Sequence, residues 1–431
     1  MTLRITETNA NFEREPLVRP FGFKGGYMNE IWQSTVLPET ADGGYGWGLG
    51  CQNVLWCDPR VFATTSESGG NSLMFALTDR ALKMARDVDF TTPVDLMEEL
   101  FDELYAYAKE ITGIPDLRKT FVLNAMVPVD NAAWMLYARV HGMKDFDSMI
   151  PSEYRQALSY RHDKVASIPI SSYGMPMEEV RELIEKEGYF ILKLKLGAPG
   201  SQQEMLEKDK ERLEQIHNEI GGIEVEHTDN GRLPYYFDAN GRYQSKETLQ
   251  RLLDHARKIG AYDQILLVEE PFPEEYKANV GDLEVLVAAD ESAHTPENVK
   301  ERIDMGYDAI ALKPVAKTLS MTLEMAREAH AHSIPCFCAD LTVNPVLAEW
   351  NKNVAARLPP LPGINVGLLE TNGHQNYKNW NQMESYHPQS KALWTQSSNG
   401  IFKLDESFYE HSGGIFQDSP HYLSVVEEQV E

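Results

Sequence analysis

The stretch ILKLKLG, residues 191–197, decides how this chain is interpreted, because it places two lysines inside an otherwise apolar run. Side chains at positions i and i+2 of a strand point to the same face, so Lys193 and Lys195 would share one face. Charges of this kind are common on edge strands with a solvated face. Here apolar residues stand on both sides of the lysines, which favours a buried strand whose lysines face an internal cavity.

Eight short apolar runs, this one included, alternate with segments of helical periodicity from about residue 165 onward. The helical segments include residues 177–188, 246–260 and 295–306. Strands that alternate with helices indicate a parallel sheet, and eight strands close a (β/α) barrel. A doubly wound open sheet usually carries a glycine-rich phosphate loop after its first strand, which SSYGMPMEE (171–179) lacks. The eight runs are VASIPISSYG, YFILKLKLG, YYFDANGRY, ILLVEEPF, VLVAADES, AIALKP, IPCFCAD and INVGLLETNG.

The chain before the barrel has a different character. Residues 72–87 and 95–113 have the periodicity of amphipathic helices, and the opening 60 residues are rich in glycine and aromatic residues, which indicates strands and mobile loops. We therefore predict an α/β fold, a TIM-type (β/α) barrel preceded by an α+β capping domain. The predicted domains are the cap with its substrate-selecting loops (1–150), the barrel (151–379) and a C-terminal segment that packs back on the body (380–431).

Composition excludes several classes of function. The chain has 431 residues, 42% apolar and 25% charged, with a net charge of −26 that disfavours nucleic acid and anionic membranes as partners. It has no run of roughly 18 apolar residues, as a membrane helix needs, and no apolar signal-peptide core at its N-terminus, so we predict a cytoplasmic protein. Four cysteines in a chain of this length do not suggest a disulfide framework.

Four of the eight runs end in carboxylates, and two others carry lysine near the same end. Because adjacent strand ends are neighbours in a barrel, Asp238, Glu269 and Asp290 would converge from three consecutive strands. Buried carboxylates repel one another and become protonated unless a cation lies among them. Oxygen ligands without histidine or thiolate favour Mg²⁺, with Mn²⁺ possible.

The lysines then have a chemical role. An ammonium group beside a divalent cation and partly desolvated has a lowered pKa, which makes it a usable base near neutral pH. Lys195 and Lys313 would lie on roughly opposite sides of the cavity, and Lys193 would contribute positive charge. This arrangement predicts removal of a proton α to a carboxylate, with the metal and Lys193 stabilising the enediolate.

The motifs KLK, FDANGRY, VEEP, ADES and LKP together resemble the strand motifs of the enolase superfamily, in its muconate lactonizing enzyme and mandelate racemase branches. The motifs stand in the family's order, 31, 21 and 23 residues apart from Asp238 to Lys313. Residues 129–151 also resemble the helix that leads from the capping domain into the barrel there. The lysine pair is most similar to the muconate lactonizing enzyme branch.

The resemblance implies roles for individual residues. Asp238, Glu269 and Asp290 would be the metal ligands, with Glu270 and Glu291 as their neighbours. Lys195 and Lys313 would be the acid/base pair. Cap loops around Gly25–Trp32 and Asn53–Gly70 would choose a small-molecule carboxylate substrate, and the protein would be a homo-oligomer.

The sequence also departs from the family. The histidine–aspartate dyad of the mandelate racemase branch is missing, because the seventh strand reads CFCAD and the sixth carries Lys313. The glycine pair after the sixth-strand lysine is replaced by KPVAKTLS, and the eighth strand lacks the D-x-D pattern of dipeptide epimerases. An insertion at residues 222–236 is unusual for the family, and we expect it close to the site and to affect specificity.

Several further residues have a structural and a functional interpretation. Glu370 either forms a salt bridge at its strand end or takes part in the site, and Asp340 has the same two possibilities. Cys336 and Cys338 are interpreted as buried core rather than as a metal pair, and His374 as a loop histidine. The remaining group comprises aromatic residues of the cap that either form its core or line a substrate pocket: Tyr27, Trp32, Trp47 and Trp56.

The sequence therefore predicts a Mg²⁺-dependent enzyme that abstracts the α-proton of a carboxylate. Racemisation or epimerisation is the simplest outcome, followed by cycloisomerisation or syn elimination of water. A sugar-acid dehydratase, in which Asp340 or Glu370 assists loss of hydroxide, is the alternative. A non-catalytic binding protein on the same fold would predict a broken metal triad or missing lysines, and the sequence has neither.

Overall fold

A computed structural model describes residues 2–23 and 26–427. It contains an N-terminal part of helices and antiparallel strands, a parallel barrel, and a C-terminal segment that contacts both. The predicted TIM-type barrel with a preceding α+β capping domain is confirmed. Within the described ranges, no helix has both the length and the apolar character needed to cross a membrane.

The N-terminal part has a three-stranded antiparallel sheet, a two-stranded one and three long helices. The hairpin of its second and third strands pairs from Glu7 with Glu39 to Phe23 with Gly26. The strands are β1 (Leu3–Arg4), β2 (Glu7–Phe23), β3 (Gly26–Glu39), β4 (Gly48–Gln52) and β5 (Asp89–Phe90). The helices are α1 (Val54–Cys57), α2 (Pro59–Ala85), α3 (Pro93–Thr112), α4 (Lys119–Val140) and α5 (Phe146–Met149).

Part of the glycine-rich segment before α1 is a buried strand, β4, in a region for which we predicted both strands and mobile loops. All five residues of β4 are buried against α4. A Cβ on Gly48 would lie 1.8 Å from the carbonyl oxygen of Pro128, and one on Gly46 would lie 2.1 Å from that of Ala132. The glycines are therefore needed because the backbone of this segment contacts the backbone of a helix.

The barrel contains the eight predicted runs as parallel strands. Its strands are β6 (Lys164–Ile168), β7 (Ile170–Ser171), β8 (Leu192–Lys195), β9 (Tyr235–Asp238), β10 (Ile265–Glu269), β11 (Val287–Ala289), β12 (Ala309–Leu312), β13 (Cys336–Cys338) and β14 (Gly367–Glu370). Its helices are α6 (Met177–Glu185), α7 (Gln202–Ile220), α8 (Lys246–Ile259), α9 (Pro296–Asp304), α10 (Pro314–Lys317), α11 (Leu319–Ala331), α12 (Ala348–Ala355) and α13 (Gly373–Asn376).

The sheet closes on itself through its first strand. Pro169 separates β6 from β7. Because β6 pairs with β14 and β7 pairs with β8, the two short strands together occupy one of the eight strand positions of the barrel. The interior is filled by alanines and larger aliphatic residues around aromatic rings that include Tyr236 and Phe337, whose centroids lie 5.5 Å apart. The barrel is therefore a packed core, and its carboxyl ends are available for a site.

The C-terminal segment joins the two parts. Its elements are α14 (Trp380–Ser385), β15 (Ile401–Lys403), α15 (Glu406–His411) and α16 (Pro420–Glu427), with 3₁₀ turns at Leu393–Thr395 and Ser412–Gly414. A further 3₁₀ turn, Tyr262–Gln264, precedes β10 in the barrel. β15 pairs antiparallel with β6, and α16 lies against the β2–β3 hairpin, where Asn9 and Asn11 donate to the carbonyls of Val426 and Val425 at 2.5 and 2.7 Å.

Buried polar contacts fix the cap on the barrel. Asp130 of α4 accepts hydrogen bonds from the backbone N–H of Leu319 (2.7 Å) and Ser320 (3.1 Å), and so caps the N-terminus of α11 from the other part of the chain. Trp134 donates to Ser320 at 3.1 Å. Because α10 and α11 directly follow Lys313, this contact places the start of the cap's helical region over that lysine.

Residues 222–234 of the insertion lie at the opposite end of the barrel from the site, so our prediction that these residues are close to the site is wrong. These residues precede β9, whose first two residues end the insertion, and Asp229 N–H donates to the carbonyl of Gly363 at 3.1 Å, just before β14. Thr228 forms a bridge with Ile364, and the rings of Phe190 and His227 lie 4.9 Å apart. The insertion therefore closes the amino-terminal end of the barrel.

Candidate active site

The predicted lysines and carboxylates converge at the carboxyl end of the barrel. Lys195, Asp238 and Glu269 stand in one row, since Lys195 pairs with Asp238 and Asp238 with Glu269 in the strand register. Asp290 and Lys313 follow directly after β11 and β12. Four of the five side chains are buried, with 3% or less exposed, and Lys195 is partly buried, with 13% of its side chain exposed.

Lys193 lies at the centre of this cluster. Its Nζ is 2.9 Å from Asp238 Oδ2, 3.0 Å from Glu269 Oε2 and 2.8 Å from Glu370 Oε2. The nitrogen also lies 4.6 Å from the centre of the Tyr236 ring. Burial by itself lowers the pKa of Lys193, but the three carboxylates outweigh burial and hold that pKa well above its usual value. Lys193 is therefore a fixed positive charge.

Lys195 lies beside it at the wall of an open cavity. Its Nζ donates to Asp238 Oδ2 at 2.6 Å and to Asn240 Oδ1 at 2.9 Å. Lys195 and Asn240 both line a cavity of about 370 Å³ at the barrel mouth. Of the two lysines predicted as the acid/base pair, Lys195 is therefore the one that this cavity exposes.

Lys313 occupies the other side of the cluster. Its Nζ donates to Asp290 Oδ2 at 2.5 Å and lies 4.4 Å from the centre of the Trp56 ring, which comes from α1 of the cap. Burial lowers the pKa of Lys313, but Asp290 and Glu269 outweigh it and raise that pKa above its usual value. The strand carrying Lys195 and the strand preceding Lys313 are four steps apart in an eight-strand barrel, so the two lysines flank the axis from opposite sides.

Sequence reasoning missed Lys317. It is fully buried, and its Nζ donates to the Asp290 carbonyl at 2.7 Å, to Asp290 Oδ1 at 3.2 Å and to the Ala293 carbonyl at 2.9 Å. Its place one helical turn after Lys313 is the signal that could have identified it. Lys317 occupies the segment in which the family's glycine pair is missing.

The lysines also set the charge of the carboxylates. Burial raises the pKa of Asp238 and Asp290, but Lys193 and Lys195 in one case and Lys313 and Lys317 in the other hold both values below the usual range. Glu269 has the opposite shift, because burial and the charge of Asp238 outweigh the lysines and raise its pKa well above normal. Glu269 is therefore the carboxyl of these three whose negative charge the lysines compensate least.

The carboxylates fit a divalent cation. Oxygen atoms of Glu269, Asp290 and Glu291 lie within 4.8 Å of one another. Glu269 Oε1 and Glu291 Oε2 are buried and accept no hydrogen bond from the residues that the structure describes. Two buried carboxylate oxygens without a donor, next to a third carboxylate, form an oxygen donor set suited to Mg²⁺.

This donor set differs from the predicted one in a single residue. Glu291, predicted as a neighbour of the ligands, lies in the compact group, whereas Asp238 is held by Lys193 and Lys195. Glu270 has the predicted supporting position, since its Oε2 accepts from Asp290 N–H at 2.8 Å and from Ser292 N–H at 3.2 Å. It therefore orients the turn that carries Asp290.

The two other predicted acids hold their surroundings in place. Glu370 accepts from Lys193, from Asp340 N–H at 3.2 Å and from Asn372 Nδ2 at 3.2 Å. Both oxygens of Asp340 accept backbone hydrogen bonds, from Leu341 at 2.7 Å and Asn372 at 2.8 Å. Burial raises the pKa of Asp340 to about 7. The geometry gives both residues a positioning role.

The structure separates the aromatic residues of the cap. Trp47 is buried, and Trp32 stacks on Phe12 with ring centroids 4.1 Å apart, so both are cap core. Trp56 contacts Lys313, and Tyr27, 66% exposed, lines the cavity.

The predicted substrate-selecting segments also differ from expectation. Gly25 lies outside the described residues, whereas Gly26 and Tyr27 line the cavity. The segment Asn53–Gly70 is mostly helical rather than a loop, because α1 and α2 occupy it.

The remaining candidates take no part in the cluster. Cys336 and Cys338 are buried strand residues with free thiols, as the core interpretation predicted. His374 contacts the Tyr189 hydroxyl at 2.9 Å, and burial lowers its pKa to about 4. A histidine with this pKa is neutral at pH 7.

Comparison with known proteins agrees with this geometry. Residues 176–365 match the family model described as enolase C-terminal domain-like. A search of curated proteins gives no match. The resemblance to the enolase superfamily that the five motifs predicted is thus confirmed.

Solved structures with the same fold cover nearly the whole chain. A member of the enolase superfamily from Listeria innocua is 17% identical with a TM-score of 0.64, over 99% of this chain and 96% of that one. A mandelate racemase/muconate lactonizing protein from Herpetosiphon aurantiacus is 17% identical with a TM-score of 0.63, over 93% and 96%. A dipeptide epimerase from Enterococcus faecalis, complexed with Mg and the dipeptide L-Leu-L-Tyr, is 16% identical with a TM-score of 0.62, over 94% and 98%. At these identities the likeness establishes the fold.

Proposed function

We propose that this chain, which carries an enolase C-terminal-like domain over residues 176–365, is an enzyme that abstracts the proton α to a substrate carboxylate. The reaction that we propose is racemisation or epimerisation, with cycloisomerisation as the next possibility. The observation that carries the proposal is the pair of lysines, Lys195 and Lys313, on opposite sides of a buried carboxylate cluster. Racemisation needs proton transfer on both faces of one carbon, and two opposed lysines supply it.

The cluster would hold Mg²⁺ through Glu269 and Asp290, with Asp238 or Glu291 as the third ligand. When bound, the cation would withdraw electrons from the substrate carboxylate and make the α-proton more acidic. The remaining tasks, stabilisation of the enediolate and proton transfer, fall to lysine side chains of the protein. Lys193, charged and immobile among its three carboxylates, places a fixed positive charge beside the developing enediolate.

Proton transfer depends on the charge around each lysine. Lys313 is an ammonium in its present surroundings, because Asp290 and Glu269 raise its pKa, and it is therefore a proton donor. It becomes a base only when the negative charge of these carboxylates is compensated. Lys195 faces the cavity and transfers a proton on the opposite face. The Trp56 ring covers Lys313 and excludes water from it.

Titration calorimetry with Mg²⁺, and with Mn²⁺ in parallel, tests the metal site. We expect one cation per chain, with Glu269→Gln and Asp290→Asn each reducing affinity at least about 10-fold. Asp238→Asn and Glu291→Gln then decide the third ligand, because only the ligand variant loses binding. As a control, Glu207→Gln removes an exposed carboxylate on α7 and should bind as the native protein does.

The same titration examines the alternative of a non-catalytic binding protein. If the protein binds no divalent cation, or if neither Glu269→Gln nor Asp290→Asn changes binding, the metal site is wrong and the binding-protein alternative gains support. Loss of folding in a variant is excluded by its circular dichroism spectrum.

The reaction itself is tested with enantiomerically pure carboxylates. Incubated with Mg²⁺, a hydroxy acid or N-acyl amino acid with one stereocentre should lose its optical rotation without loss of mass if it is a substrate. A sugar acid or dipeptide with several stereocentres should instead form a second diastereomer of the same mass, which NMR detects. Formation of a keto acid, trapped as a semicarbazone, would instead support the sugar-acid dehydratase. No observation favours that alternative, because both oxygens of Asp340 accept backbone hydrogen bonds and Glu370 is bound to Lys193.

A further inference from the structure

The cavity of about 370 Å³ is the approach to Lys195. One wall is formed by Phe21, Gly22 and Tyr27 of the β2–β3 hairpin, the opposite wall is formed by the turn after β7, and the floor contains Lys195 and Asn240. Its volume suits a small organic molecule. A substrate whose reacting carbon lies at Lys195 therefore extends into this cavity.

Arg242 lies on the wall of the cavity and forms no ion pair with any residue that the structure describes. Within residues 2–23 and 26–427, its guanidinium donates no hydrogen bond and has no carboxylate at ion-pair distance. Asp209 is not at ion-pair distance from it, and both Asp209 oxygens accept other hydrogen bonds, from Gly197 N–H at 2.8 Å, Ala198 N–H at 3.1 Å and the Tyr243 hydroxyl at 2.7 Å. A partly buried guanidinium without a partner is ready to bind an anion.

The backbone around Arg242 fixes where this side chain begins. Its N–H donates to the carbonyl of Ala239 at 3.0 Å, and its own carbonyl accepts from Gln202 Nε2 at 2.8 Å. The side-chain stem lies directly against Gly197, which has φ +83°, and a Cβ there would be 2.4 Å from Arg242 Cβ. Gly197 thus leaves room for the arginine at the edge of the strand that carries Lys195.

Arg19 adds a second cation from the opposite wall. It lies on β2, its side chain is 60% exposed, and it meets Glu179 at 3.4 Å. An exposed ion pair of this kind contributes little and is easily exchanged for another anion. Two arginines at one cavity mouth also stand out on a chain with a net charge of −26.

We propose that Arg242, assisted by Arg19, binds a second anionic group of the substrate. The substrate is then a dianion, with one carboxylate at the reacting centre and another carboxylate at its far end. Tyr27 and Tyr173, which also line the cavity, contact the apolar part between the two groups. This inference rests on the proposed function, since it takes the Lys195 end of the cavity as the reacting end.

Matched pairs of compounds test the inference. Each pair differs by one terminal carboxylate: N-succinyl-L-alanine with N-butyryl-L-alanine, L-alanyl-L-glutamate with L-alanyl-L-glutamine, and an aldarate with its aldonate. We expect kcat/KM for α-proton exchange to be at least about 10-fold higher for the dianion of any pair that reacts. Arg242→Gln should remove that preference by raising KM while kcat changes little, and Arg19→Gln should have a smaller effect. Arg251→Gln on α8, outside the cavity, is the control.

Calorimetry with the same compounds separates two kinds of failure. Equal exchange of both members of a pair, or equal slowing of both by Arg242→Gln, overturns the second-anion site and leaves the proposed function intact. No exchange with any pair, combined with dianion binding that Arg242→Gln weakens about 10-fold, supports the anion site and contradicts the proposed chemistry. Absence of both exchange and binding overturns the inference.

Discussion

Replacing either Lys195 or Lys313 by methionine is expected to reduce racemisation by about 10³-fold, within the range that general acid–base groups contribute. Methionine keeps the length and apolar volume of the lysine stem, and both lysines lie at the edge of the carboxylate cluster rather than in its centre. Folding should therefore survive. The two variants should fail differently, because each retains the base on one face of the substrate.

The distinction is measurable with the two enantiomers of one substrate in D₂O. Each single variant should still exchange the α-proton of one enantiomer, and the enantiomer should differ between Lys195→Met and Lys313→Met. The double variant should exchange neither. A control is Lys210→Met on α7, which should keep full activity. Full racemisation by either single variant contradicts the two-lysine mechanism.

Replacing Lys193 by methionine is expected to destabilise the metal-free protein by about 3–5 kcal/mol at pH 8, the cost of breaking a buried ion pair from one side. The ammonium lies within 3.0 Å of carboxylate oxygens of Asp238, Glu269 and Glu370, and its side chain is 2% exposed. Without it, three buried carboxylates face one another without compensation. Urea unfolding of the two proteins in EDTA measures the difference.

The pH dependence gives this prediction its sign. In the native protein Lys193 and Lys195 hold the pKa of Asp238 below its usual value, so that stability is present above pH 4 and is lost as the pH falls further. In the variant the carboxylate pKa values rise in the folded state, so stability increases as the pH falls. The difference between the two proteins should therefore shrink towards pH 5. Equal stability at pH 8 would contradict the central role of Lys193, and the exposed Lys300→Met is the control.

Much of the barrel could be predicted from local pattern. The alternation of apolar runs with helices determines eight parallel strands, and the position of lysines and carboxylates at strand ends brings them to one mouth. Lys193, Lys195, Asp238 and Glu269 are all within or at the end of a regular strand. The period of two residues in a strand therefore predicts correctly that these four side chains share one face.

The group formed by Glu269, Asp290 and Glu291 could not be predicted from strand periodicity, because two of its members lie beyond the end of a strand. Asp290 and Glu291 both follow β11, which ends at Ala289. Neighbouring residues point to opposite faces only while the backbone is extended, and beyond the strand the chain turns. The sequence could therefore not tell that Glu291 rather than Asp238 lies within 4.8 Å of the other two carboxylates.

Contacts between segments that are far apart in the sequence could not be predicted from local sequence patterns either. The Trp56 ring over Lys313 depends on the docking of α4 against α11, which Asp130 and Ser320 maintain. The glycines of β4 resemble loop residues in sequence, but they are required by close backbone packing on a helix. The insertion at 222–236 could be placed only once the end of the barrel from which it emerges was known.

Proton NMR in D₂O with Mg²⁺, on the native protein and a panel of carboxylates, tests the central claim most directly. The account predicts that deuterium replaces the α-proton of at least one substrate, that both enantiomers exchange, and that EDTA stops the exchange. Exchange that persists in EDTA, or in the Lys195→Met, Lys313→Met double variant, would contradict it, because the reaction would then come from elsewhere. A cation-loaded protein that exchanges no α-proton across the panel would contradict the proposed chemistry itself.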